Sequence, residues 1–207
     1  MRALVVYCHP KETSFTAAVR DVVLDRLAAA GAEVRLRDLY AEGFDPTLTA
    51  HDLDIYEDEA VNGAAHAGEI ADLRWCDTLI FVYPTWWYGL PAMLKGWLDR
   101  VLVPGVAFLM PEAGGTIRPG LTHITRLGVF TTCGASWWLT TLVGAPGRRT
   151  ILRGIGLLCA KPHRRAFAAH YLMDSSTDAS RRAHLAKVAA RMDRLTGGPR
   201  KAEEALA

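Results

Sequence analysis

TLIFVYPTWWYGLPAMLKGWLDRV, running from Thr78 to Val101, packs a strand, a loop and a helix into one short stretch, and its reading decides the fold. The run LIFVY is continuously apolar, as expected of a strand buried on both faces, and Pro84 brings it to an end. Past a short loop, Pro91 suits a first helical turn, and Leu94, Trp97, Leu98 and Val101 recur at helical spacing to face inward. Between the two elements stand Trp86, Trp87 and Tyr88. They lie on a loop, so helical periodicity cannot make all three core. They can wall a flat heterocycle, which gains both area burial and stacking. The other reading is a hydrophobic plug between loop and helix, or an oligomer contact.

The rest of the chain repeats this alternation. ALVVY reads as a first strand. After it Phe15, Val19, Val22, Val23 and Leu27 keep helical spacing, with Ser14 placed to cap the start and Gly31 where the helix stops. EVRLRDL reads as a second strand. From Thr49 to Asp77 the chain is acidic and poorly periodic, its first half a surface excursion and its later part, around GEIADLRWCD, a candidate helix. HITRLGVFTT is a further strand, and WWLTTLVGAPGRRTILRGIG reads as a loop and a helix. LLCAKPHRRAFAAHYL contains the last strand, and Leu185, Val188, Met192 and Leu195 mark a C-terminal helix. Strand and helix in this order predict a parallel sheet covered on both faces, one domain over residues 1–196 and a flexible tail over 197–207.

Composition narrows the classes of function. The 207 residues suffice for one domain with its own core, and the formal charge of +2 is spread along the chain. A nucleic-acid binder of this size concentrates its basic residues in a stripe, and here only the short pairs beginning at Arg148, Arg164 and Arg181 stand out. Cys8, Cys76, Cys133 and Cys159 lie far apart with no Cys-x-x-Cys pair, against both a disulfide framework and a zinc site. No apolar run reaches the roughly 18 residues of a membrane span, and the start of the chain lacks the pattern of a signal peptide. A cytoplasmic protein is expected. The histidines His51, His66, His123, His163, His170 and His184 are scattered and read as surface or satisfied polar groups.

In a parallel sheet, ligands sit beyond the carboxyl ends of the strands, near the point where strand order reverses. Three informative stretches fall at such ends: CHPKETSF, PTWWYG and TTCGAS. In the first, a loop leading into a helix exposes unpaired N–H groups and the positive end of the helix dipole, which attract phosphate. Ser14 and Thr16 can add hydroxyl donors and His9 a ring donor. Alternatively Ser14 is only a cap and His9 a turn residue. A cysteine phosphatase would need Cys-x5-Arg here, and counting from Cys8 the arginine position holds Ser14. In the third, Thr131, Thr132 and Gly134 allow close backbone approach, and amides there can meet developing negative charge. A strand-end turn accounts for the glycine equally well. Arg148 and Arg149 could reach a cofactor phosphate, or simply face solvent.

Together, YCHPKETSFTAAV, PTWWYGLPAMLKGWLDRVLVPGVAF and TTCG resemble the flavodoxin-like NAD(P)H:quinone oxidoreductase family, which includes mammalian quinone reductases and bacterial potassium-efflux ancillary reductases. The resemblance is strong from Met1 to about Phe108, continues through Gly134 and is faint beyond. It implies a flavodoxin-like α/β three-layer sandwich with a five-stranded parallel sheet, a homodimer, and a flavin, FAD or FMN, across the three loops. His9, Ser14, Phe15 and Thr16 would meet the phosphate and ribityl end, with Thr16 where the family often has asparagine. Pro84, Thr85, Trp86, Trp87 and Tyr88 would line the isoalloxazine, and Thr131, Thr132 and Gly134 its pyrimidine side. Phe108 would cover a substrate pocket shared between two subunits, with Trp137 and Trp138 among its walls. Cys133 stands where the family usually has glycine, and we assign it no catalytic role. The tyrosine and histidine that follow in the mammalian enzymes have no clear match here, which leaves no side chain assigned to a proton relay. The implied activity is ping-pong two-electron transfer from NADH or NADPH through flavin N5 to a quinone or similar flat acceptor, without nucleic acid or a metal. A regulatory flavoprotein docking on a transporter or other protein through the acidic run His51 to Glu59 is the second reading. An electron-carrier flavodoxin fits less well, because those carriers are strongly acidic.

Overall fold

The computed structural model describes residues 1–111 and 115–197. In chain order the elements are β1 (Arg2–Tyr7), α1 (Phe15–Ala29), β2 (Glu33–Asp38), α2 (Ala50–Asp54), α3 (Ala67–Trp75), β3 (Thr78–Thr85) and α4 (Ala92–Val101). They continue with β4 (Phe108–Leu109), β5 (Arg118–Pro119), β6 (Arg126–Cys133), α5 (Trp137–Leu142), α6 (Pro146–Arg149), a π-helix over Thr150–Ile155, α7 (Gly156–Leu158), β7 (Arg164–His170) and α8 (Asp178–Thr196). Five strands form one parallel sheet in the order β2-β1-β3-β6-β7, and β4 and β5 make a small separate hairpin. The expected flavodoxin-like α/β fold is the one observed.

Period-two alternation along the central strands feeds two cores. Ala3, Val5 and Tyr7 of β1, with Ile80 and Val82 of β3, meet Val19, Val23 and Leu27 of α1 and Val188, Met192 and Leu195 of α8. Leu4 and Val6, with Leu79, Phe81 and Tyr83, meet Leu73 of α3 and Leu94, Trp97 and Val101 of α4 on the other face. Trp97 is fully buried and stands edge-on to Phe81 with ring centroids 6.0 Å apart. One turn of α4 passes so close to the chain at Pro46 that a Cβ on Gly96 would overlap the proline's backbone.

The acidic excursion is partly structured. Thr49 and Asp52 form a capping box at the start of α2, and Asp52 also pairs with Arg100 of α4 at 3.4 Å. Asp52 thereby ties the start of the excursion to α4, while His51, Asp54, Glu57, Asp58 and Glu59 stay exposed. At the edge strand, Arg35 and Arg37, two residues apart and so on one face, reach the buried Asp72 of α3 at 2.7 and 2.6 Å. Gly197 closes α8 with φ of 93°, and the remainder of the expected tail, residues 198–207, lies outside the described residues. No described helix is long and apolar enough to cross a membrane.

Candidate functional site

From β1 the sheet grows in both directions, to β2 on one side and β3 on the other, so the connections leaving β1 and β3 diverge and open a crevice at their carboxyl ends. A cleft of about 770 Å³ occupies that crevice. Its walls are three strand-end loops plus the turn after β7.

The loop from Cys8 to Ser14 supplies the first wall. Ser14 is extended (φ −75°, ψ 158°) and its Oγ accepts from the amide of Ala17 at 3.0 Å, so it caps α1. The amides of Phe15 and Thr16, in the first turn, have no partner inside the helix, and the dipole of a 15-residue helix adds positive potential at the same point. The backbone amide of Lys11 donates to His9 Nδ1 at 3.0 Å. Burial also lowers the pKa of His9, so the ring is neutral and carries its proton on Nε2, ready to donate. No thiolate competes at this loop: burial pushes the Cys8 thiol up to about 12.

The second wall is the aromatic loop. Trp87 and Tyr88 have φ of 48° and 62°, and the amide of Gly89 donates to Trp86 O at 3.0 Å. Two consecutive left-handed residues inside a closed four-residue turn define type I′, a turn that favours Asn-Gly. Bulky side chains there are strained by about 1–2 kcal/mol each. The turn also throws its side chains outward: Trp87 is 95% exposed, and Trp86 lies 6.4 Å from the His9 ring. Since the Trp87 indole packs on little in this chain, Trp87→Gly is expected to keep or raise stability, by up to about 1 kcal/mol once glycine's own entropy cost is subtracted. Urea denaturation checks this, and a loss above that size would mean the indole is covered in solution.

Hydroxyl ties hold the third wall to the other two. Thr16 Oγ1 lies 3.1 Å from Thr132 Oγ1, joining the start of α1 to the end of β6. Thr85 Oγ1 lies 2.8 Å from Thr131 Oγ1, joining β3 to β6. Thr131 thus stands behind the cleft, at a void of about 20 Å³ under Tyr88, while Thr132, Cys133 and Gly134 line the cleft itself. The Cys133 sulfur sits 3.6 Å from Thr140 Oγ1, as a small packed residue would.

His9, Ser14, Phe15, Thr16, Pro84, Thr85, Trp86, Trp87, Tyr88, Thr132 and Gly134 all line the one cleft. Phe108, Trp137 and Trp138 do not. Phe108 lies in the β4–β5 hairpin against the α4 core, and Trp137 and Trp138 open α5, 62% and 64% exposed. Ser136 accounts for the latter: it caps α5 by accepting from Leu139 N at 3.2 Å, so the two indoles fall on a helix rather than on the strand-end loop. Arg148 and Arg149 belong to the four-residue helix α6. Sequence reading missed Ala135, Met173 and Asp174. The last two arrive on the turn after β7, which the amide of Leu172 ties to Ala135 O at 3.2 Å. Behind Phe15 stand His170 and His184, edge-on to each other at 5.2 Å, with His170 Nε2 3.3 Å from Ser180 Oγ. Among the described residues no group of carboxylate, histidine and cysteine ligands could hold a metal ion.

A family model described as flavodoxin-like fold matches residues 1–192. Human ribosyldihydronicotinamide dehydrogenase [quinone] is 34% identical over 126 residues, covering 53% of this chain and 54% of the human protein. The chain therefore spans about half the length of the curated relatives it matches. The crystal structure of Smu.1420 from Streptococcus mutans superposes with a TM-score of 0.77 at 28% identity, covering 94% of this chain and 100% of that one. The NAD(P)H:quinone oxidoreductase of Methanothermobacter marburgensis gives 0.79 at 24% identity, covering 94% and 96%, a likeness of fold.

Proposed function

Because this chain belongs to the flavodoxin-like fold family, we propose that its crevice holds a flavin and that it is an oxidoreductase passing electrons from NADH or NADPH to a quinone or similar flat aromatic acceptor. One observation carries the reading: a helix N-terminus with unsatisfied amides and a strained aromatic turn face the same cleft of about 770 Å³ across the switch point of the sheet. A phosphate-tailed planar ring needs both, and their separation across the crevice lets one molecule use them together. The name of the human relative points the same way, since it is a dehydrogenase with quinone as its named acceptor.

Each wall has a part in this reading. The amides of Phe15 and Thr16, the hydroxyl of Ser14 and the Nε2 proton of His9 hold the phosphate end of FAD or FMN. Trp86, Trp87 and Tyr88 hold the ring, and the amides following Thr132 offer donors to its pyrimidine edge. A flavin held there would supply two-electron redox chemistry between the nicotinamide and the acceptor. The chain's own contribution is orientation and exclusion of water. One aromatic-walled cleft serves donor and acceptor in turn, so initial-rate plots are expected to be parallel, as in ping-pong kinetics.

The exposed Trp137, Trp138 and Leu142 favour a homodimer that covers α5. Phe108, Trp137 and Trp138 would then wall the site of the second copy rather than their own. Denaturing the purified chain and identifying the released flavin by chromatography tests the proposal directly. Flavin binding should also raise stability by about 2.7 kcal/mol at a hundredfold excess over Kd, and Trp87→Gly should weaken that effect without lowering basal stability. Absence of released flavin, with no melting shift on adding FAD or FMN, would overturn the proposal.

A further inference from the structure

A second cleft, of about 530 Å³, lies on the far side of Tyr88 and Cys133 from the first, between the π-helix, β7 and α8. Arg148, Arg149, Arg153, Arg165 and Arg191 line it, and no carboxylate does. None of the five makes a salt bridge within the described residues, whereas Arg20, Arg26, Arg35, Arg37, Arg100 and Arg126 all do. Like charges gathered without a counter-ion repel one another and raise the local potential for anions. The gathering is built by structure remote in sequence. Arg148 and Arg149 end α6, and Arg153 lies one turn on, in the π-helix that continues it. Arg165 comes from β7 and Arg191 from α8.

Two of the guanidinium groups are oriented by neighbours that leave their forks free. The Arg148 guanidinium lies 4.6 Å from the centroid of the Phe167 ring, a cation–π contact that uses its face and spares its edge. Arg165 Nε donates to His163 Nε2 at 2.9 Å, and His163 Nδ1 is fixed 2.7 Å from Ala160 O, so the two terminal amino groups of Arg165 remain for a ligand. Forked donors of this kind match phosphate oxygens two at a time.

We infer that this cleft is a second binding site, for a small molecule carrying two or more phosphate groups. Its concave shape and modest volume suit a metabolite or coenzyme diphosphate. The inference stands apart from the flavin proposal, because it rests on different residues and a different cleft.

Isothermal titration of inorganic pyrophosphate into the full chain tests it. Saturable one-to-one binding is expected, weakening as salt is raised. Arg165→Ala/Arg191→Ala should weaken it at least tenfold while leaving far-UV circular dichroism unchanged, and Arg191→Ala alone, at least threefold, serves if the double variant does not fold. No saturable heat, or equal affinity in wild type and variants, would overturn the inference. NADPH and NADH distinguish the source of the phosphate. If NADPH loses affinity in the variants and NADH does not, the site reads the coenzyme's extra phosphate. If pyrophosphate alone is affected, the occupant is another phosphorylated metabolite.

Discussion

Trp97→Ala is expected to destabilise the protein by about 3–5 kcal/mol, the usual cost of removing a large aromatic from a packed core. Trp97 is fully buried, sits edge-on to Phe81 of the central strand β3, and lies at the middle of α4. Neither α4 nor the sheet can close over the cavity, because Gly96 already brings the helix against the Pro46 backbone on a neighbouring face. The lost contacts therefore outweigh the gain of about half a kcal/mol in helix propensity. Because α4 begins directly after the aromatic turn, the turn should loosen with it. Equilibrium urea denaturation, with tryptophan-independent circular dichroism as the probe, measures the loss. A value under 1 kcal/mol would contradict the packing described.

The second large effect concerns acid. Burial, with His170 and Lys187 nearby, pushes the pKa of His184 from its ordinary 6.5 down to about 4. In the unfolded chain the ring takes a proton below about 6.5, while in the folded chain it refuses one until about 4. Between those values the unfolded state binds more protons, so stability falls as pH falls. At about 1.4 kcal/mol for each tenfold change in proton affinity, the loss from this one residue is about 3 kcal/mol. His170, lowered chiefly by burial and by Arg181, and His66, lowered chiefly by burial and by Arg100, act in the same direction. His184→Gln should thus be at a disadvantage near neutrality that shrinks or reverses by pH 4. Urea midpoints from pH 7 to pH 4 give the comparison, and parallel curves for the two proteins would rule out the assignment. Since His170 and His184 both touch Phe15 of the cleft, the same proton uptake should loosen that wall first.

Much of this was legible in the amino-acid order, for physical reasons that can be named. LIFVY and ALVVY are apolar on both pleat faces because helices cover both, and Ser14 is read as a cap because a hydroxyl before an apolar helical repeat has few other uses. What escaped has equally specific causes. Nothing in TILRGI marks a π-helix, since the wider turn comes from packing rather than propensity. WWY gives no sign of a type I′ turn, because bulky aromatic residues disfavour the left-handed backbone that the turn requires. Met173 and Asp174 belong to the site only through the place of β7 in the sheet, which no local pattern encodes. Trp137 and Trp138 look like pocket residues by proximity to TTCG, yet Ser136 starts a helix that carries them away.

Strand order has one more consequence, for assembly during synthesis. Reading β2-β1-β3-β6-β7 against the chain, each new parallel strand docks on an outer margin of what precedes it: β2 beside β1, β3 on the opposite margin, then β6, then β7. A nascent polypeptide emerging from a ribosome can therefore accrete its sheet outward, never prying apart a pair already zipped. The hydroxyl clasp between Thr16 and Thr132 forms only when Thr132 has emerged, so the cleft is completed only once β6 has joined the sheet.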